Sequence, residues 1–205
     1  MMNSFQLPFN WFDLAIVIIL VVGINIGRKH GMSVELLGAL KWLAIVIVCA
    51  AAYQPVSQFI TTSSNVFSNL SANMMAYFGV GLVIATVFAF LKKSFGGKLV
   101  GSDVFGRSEF YLGMVAGAAK FLCILFVALA FLNARQYTQA EVKANRKYQN
   151  DVYGSNFFPS LYEVQTQVFE RSLTGPWIKK ELDWLLIKPT VPEQKQLARR
   201  KLDLP

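Results

Sequence analysis

The sequence predicts an all-α membrane protein with four transmembrane helices followed by an amphipathic helical C-terminal tail. Three observations carry this reading. Of 205 residues, 54% are hydrophobic and 16% charged, a balance too apolar for an ordinary soluble domain of that length. Four apolar stretches, at about residues 11–27, 34–53, 73–91 and 111–132, come close to or reach the ~17–25 residues with which a helix crosses a bilayer. Beyond Asn133 the composition turns polar and charged, with apolar residues returning only at helical intervals. That change separates a membrane unit, residues 1–133, from an extramembrane tail, residues 134–205.

Between Phe12 and Ile26 only Asp13, Gly23 and Asn25 interrupt an apolar run. The preceding MMNSFQLPFN has neither the positive start nor the small-residue cleavage site of a secretory signal, so the first span is expected to be retained. Asp13 stands three residues after Asn10, where it can cap the first turn and favour the positive end of the helix dipole; a functional carboxylate is the sharper alternative. Gly23, Gly27 and Gly31 recur every four residues, a small-residue face that lets two helices approach closely in lipid. Contact within the chain is the simpler use of that face, and association into a homo-oligomer the alternative.

After the polar turn Arg28, Lys29, His30, the second span opens with Glu35 in its first turn, again a place where a carboxylate favours the helix dipole. Pro55 is expected to end it. The linker from Gln54 to Ala72 carries no charge, and Lys92 and Lys93 close the third span. The glycine-rich connection SFGGKLVGSDVFG lacks the Gly-x4-Gly-Lys-Ser/Thr spacing of a phosphate loop. The fourth span carries Gly113 and Gly117, at the same four-residue spacing, and then Lys120.

Lys41 and Lys120 each lie roughly 10–15 Å inside their spans at 1.5 Å rise per residue, where an unpaired charge is costly. Either lysine snorkels to the interface or it marks a functional position, and Lys120, the deeper one, is the stronger candidate. Orientation follows from six Lys and Arg in the first and third turns against none in the second loop. That asymmetry puts the first and third turns in the cytoplasm and both termini outside.

The net charge of +8 is spread along the chain: residues 1–133 hold 8 Lys and Arg against 4 Asp and Glu, and residues 134–205 hold 12 against 8. An even spread gives no basic patch for nucleic acid; the lipid bilayer is the expected partner. Cys49 and Cys123 fall within apolar spans and read as small hydrophobes.

These residues resemble the colicin V production protein (CvpA) family, small four-helix inner-membrane proteins of bacteria. Asp13 matches that family's acid near the start of span one, Gly27 and Gly31 followed by Glu35 its glycine turn and acid, and Gly113, Gly117 and Lys120 in LGMVAGAAK its Gly-x-x-x-Gly-x-x-basic motif. Phe121 stands where the family usually has a small residue. SNFFPSLYEVQTQVFERS is similar to the family's post-membrane segment, so the resemblance covers roughly residues 10–172. It implies a role in colicin V production or export and in envelope maintenance. Fusion of similar units to periplasmic serine proteases agrees with an outward C-terminus.

In the tail, Ser160 and Glu163 have capping-box spacing and predict a helix from Leu161 to about Ser172. Pro176 suits the first turn of a second helix, with Trp177, Glu181, Trp184 and Leu185 spaced along it and lying on the membrane or on the outer face of the bundle. The end, from Pro189, is dense in charge and is expected to be disordered. The chain offers no nucleophile with a nearby base and no Cys/His cluster for a metal, so neither enzyme chemistry nor a cofactor is expected. A membrane accessory or scaffold protein that meets envelope partners through its tail is the favoured class. A channel or transporter subunit is the alternative, and Lys120 discriminates: a pathway residue faces a wet cavity and a scaffold lysine snorkels.

Overall fold

The first helix starts at the cap that its own sequence provides. In the computed structural model, which describes residues 9–63, 67–101, 106–154 and 160–190, Asn10 and Asp13 form a reciprocal capping box, with Asn10 N donating to Asp13 at 3.0 Å. From there α1 runs over Trp11–His30 and stops at Gly31, whose φ of 73° lets the chain reverse at once into α2, Met32–Ser63. Next come α3, Asn69–Gly101, a single 3-10 turn at Gly106–Ser108, and α4, Glu109–Asn133. All four helices contain a stretch long and apolar enough to cross a membrane.

Two helix limits differ from the sequence expectation. Pro55 does not end α2 but lies inside it, and the charge-free segment read as a linker is helical as far as Ser63. Val56 and Ile60 pack onto the core, which offsets the backbone hydrogen bond that proline removes. Lys92 and Lys93 end the apolar run of α3 without ending the helix, because lysine is a good helix former and only its charge is unwelcome in lipid.

The helices pack mainly as a row in the order α1, α4, α2, α3, with α1 and α2 meeting only lightly near their short turn. Cys49 Sγ donates to Tyr77 O at 3.5 Å across the α2–α3 contact, and the Tyr77 ring meets Phe131 of α4 edge-on at 5.4 Å. The outward faces of α1 and α3, with Val17, Val21, Phe78 and Val87 among them, are exposed and apolar, as lipid-facing surfaces are.

The chain beyond Asn133 folds back onto this row. Helix α5, Gln139–Tyr153, is capped by Thr138 and Glu141 and buries nothing. Helix α6, Leu161–Phe169, has the Ser160–Glu163 box, and α7, Gly175–Glu181, has proline in its first turn. Both are shorter than the sequence reading allowed. Val168, Phe169, Ile178, Leu186 and Ile187 belong to one core with Phe12, Tyr53, Ala130 and Ala134, so the hydrophobic core crosses the compositional boundary at Asn133. After a 3-10 turn at Asp183–Leu185 the chain runs extended beside the end of α4. Asn133 donates to Ile187 O at 3.0 Å, Lys188 N to Tyr53 Oη at 3.1 Å and Thr190 N to Ala134 O at 3.0 Å. Pro189 and Thr190 are therefore held by the fold, and the rest of the segment expected to be disordered, 191–205, lies outside the described residues.

Candidate functional site

The α1–α4 crossing positions everything else. A Cβ on Gly27 would overlap the Gly113 carbonyl, one on Gly117 would overlap the carbonyl of Gly23, and one on Gly23 would stand 2.9 Å from Gly117 O. Backbone thus lies on backbone within a single chain. At the end of this seam Gly31 meets the Glu109 side chain, where an added Cβ would sit 2.8 Å from it. Phe121 does not open the crossing. It stands beside Lys120, whose ammonium lies 5.5 Å from its ring centre.

With Gly113 and Gly117 turned to α1, Lys120 is left facing α2. Its stem passes Gly38, where a Cβ would be an ordinary 3.6 Å from Lys120 Cδ. Its Nζ then donates to Glu35 Oε2 at 2.6 Å. From the other side His30 Nδ1 donates to Glu35 Oε1 at 2.8 Å. Three helices therefore converge on one carboxylate. Glu35 is 4% exposed, Lys120 19% and His30 55%, so the acid is held inside while its partners lead outward. A buried carboxylate left alone would cost several kcal/mol, roughly; two charge-assisted hydrogen bonds are what make this position tenable. Lys120 does run toward the His30 end of the row, as a snorkelling lysine would, but it ends on an acid.

The cluster lines a cleft of about 410 Å³ between α2, α3 and α4, with Lys41, Trp42, Phe88 and Lys92 among its other walls. The Lys41 Nζ lies 5.2 Å from the Trp42 ring centre. Such a site can attract an anion or hold a proton between a carboxylate, an amine and an imidazole. Among the described residues no group of three or more His, Cys, Asp and Glu could hold a metal ion. Cys49 and Cys123 are both free and buried.

Asp13 lies at the other end of the row and does different work. Besides its cap it accepts from Leu173 N at 3.0 Å, Thr174 N at 3.1 Å and Thr174 Oγ1 at 2.7 Å. Trp11 Nε1 and Asn10 Nδ2 donate to Gln167 beside it. The start of α1 is thereby tied to the turn between α6 and α7.

A family model described as Colicin V production protein matches residues 12–166, spanning all four membrane helices, α5 and most of α6. The chain belongs to the Colicin V production protein family. No curated protein and no solved structure matches it. In this family member the cluster of His30, Glu35 and Lys120 and the glycine seam lie inside the matched stretch, and so does Asp13. The partners of Asp13, Leu173 and Thr174, lie beyond it.

Sequence reasoning picked out Glu35 and Lys120 separately and missed that they pair, and it gave His30 no role at all. One signal was available: the membrane unit holds only four acids for its eight Lys and Arg, so an intramembrane lysine has few partners to choose from. Helix α5 was missed although Thr138 and Glu141 have the same spacing that located α6.

Proposed function

We propose that this protein is an accessory or scaffold component of the bacterial inner membrane that serves colicin V production or export and envelope maintenance. In this reading it lies with both ends outside, has no catalytic role, needs no cofactor and meets envelope partners through its outer lobe. One observation carries it: the segment after the membrane unit is built into the core, with Asp13 of α1 accepting three hydrogen bonds from Leu173 and Thr174. A lobe fixed in this way holds Trp177 and Trp184, both exposed, in constant positions relative to the helix row, as a docking platform requires. The test is the double variant Trp177→Ala, Trp184→Ala in a deletion strain. Normal accumulation with loss of complementation and of partner crosslinks supports the platform; full complementation removes it. A periplasm-active reporter fused after Pro205 should be active and one placed between α3 and α4 silent, and the reverse pattern contradicts the orientation.

The second reading, a channel or transporter subunit, is favoured by one feature: the Glu35 cluster lines a cleft instead of packing solid. An ionisable network in such a place is what a proton or ion path uses. The two readings part on conductance or flux in reconstituted vesicles, which only the second expects.

A further inference from the structure

Beyond the partner role, we propose that the cleft between α2, α3 and α4 binds the phosphate headgroup of an anionic lipid, with an acyl chain laid in the apolar groove that continues from it. The charge of the cleft favours an anion. The charged residues lining the cleft are Lys41, Lys92 and Lys120 against Glu35. Glu35 is already engaged by Lys120 and His30. Lys41 and Lys92 form no ion pair among the described residues, so they bring positive charge that a phosphate would neutralise.

The register of the helices sets the depth of these charges. The α2–α3 register is set by Cys49 against Tyr77 and by Gly81 against Ile45 and Cys49. Continued along two antiparallel helices, it brings Lys92 level with Glu35 at the charged end of the row. Lys41 is six residues further along α2, about 9 Å deeper at 1.5 Å rise per residue. Lys92 closes the apolar run of α3, so with these helices across a bilayer the positive groups would lie where lipid phosphates give way to acyl chains. Val34, Phe88 and Trp42 supply apolar wall between them.

The shape of the site selects a lipid over a free anion. A second cavity of about 220 Å³ lies between the same three helices, shares Trp42 and Ala85 with the charged cleft and is otherwise lined by apolar side chains, glycine and Tyr77. Charged cleft and apolar groove meet at Trp42, a sequence of surfaces that matches an amphiphile lying headgroup first. A soluble phosphate has no use for the second part.

The test is native mass spectrometry of the purified full chain in detergent with dioleoyl phosphatidylglycerol, dioleoyl phosphatidylcholine or inorganic phosphate added. A lysine at a membrane surface changes the affinity for an anionic lipid roughly fivefold. The parent should therefore retain phosphatidylglycerol about 25-fold better than phosphatidylcholine through its two unpaired lysines. Lys92→Gln, at an exposed position that does not endanger folding, should lower that preference about fivefold. Lys41→Gln with Lys92→Gln should abolish it, and the double arginine variant should keep it. Equal retention of the two lipids by the parent, or unchanged preference in Lys92→Gln, overturns the proposal. So does displacement of the lipid by millimolar inorganic phosphate, which would make the site one for soluble anions.

Discussion

Asp13 and Glu35 are both buried carboxylates in the first turn of a membrane helix, and they stand at opposite ends of the helix row in opposite surroundings. Asp13 accepts from the backbone amides of Asn10, Leu173 and Thr174 and from the Thr174 hydroxyl. Backbone donors fixed by two helix ends cannot turn away, so this acid works as a clamp. Glu35 is held by two side chains, Lys120 and His30, beside a cleft. Side-chain donors can rotate and exchange protons, and a ligand can compete for them. The same residue class in the same helical position is a fastener in one place and a reactive group in the other, and the kind of donor decides which.

The largest loss is expected at the clamp. Asp13→Ala leaves several donors without an acceptor at roughly 1–3 kcal/mol each, so we expect a loss of about 3 kcal/mol or more in total. Limited proteolysis should then cut near the α6–α7 turn while the four helices stay inserted. Unchanged resistance would mean that water replaces the carboxylate without penalty. Asp13→Asn should recover part of the stability, because one amide oxygen still accepts.

Next in size is the glycine seam that holds both ends in register. Gly117→Leu forces two backbones apart, at a cost near the upper end of the ~1–3 kcal/mol typical of overpacking. Thermal unfolding in detergent should show it, and accumulation should fall. A variant as stable as its parent would show that α1 and α4 are not in backbone contact.

At Glu35 the expected stability effect is smaller. Glu35→Gln leaves Lys120 without its counter-charge, but Lys120 is 19% exposed at the cleft, so the loss should be well under the ~2.5–3.5 kcal/mol of a lysine stranded at the membrane centre. We expect about 1 kcal/mol in the same unfolding assay, with function lost. Smallest of all is Arg146→Ala. It removes a 3.5 Å pair with Glu163 that is largely exposed, worth below ~1 kcal/mol, and complementation should be intact.

The sequence made the membrane helices legible because lipid imposes one unbroken rule, about twenty apolar residues per crossing. It made the glycine seam legible as two faces with matching four-residue spacing. Which helix faced which was not legible, since the row order α1, α4, α2, α3 depends on tertiary packing that no local pattern encodes. The role of Asp13 shows the same limit. Its cap was visible three residues away at Asn10, whereas its second task joins residues 160 positions apart. Pro55 misled because proline's local cost can be offset by packing contacts such as those of Val56 and Ile60. Glu35 and Lys120 are 85 positions apart, and their separate positions in two spans gave no sign that one neutralises the other.

At the Asp13 end fixed backbone donors hold the outer lobe in place, and at the Glu35 end two side chains form a network on which activity is expected to depend. The most direct measurement is the complementing activity of Lys120→Met in a deletion strain, normalised to the amount of protein inserted in the membrane. Parent-like insertion with activity abolished is expected, and partial activity for Lys120→Arg. Full activity of the methionine variant would contradict it, because the lysine would then be no more than a tolerated partner of a buried acid.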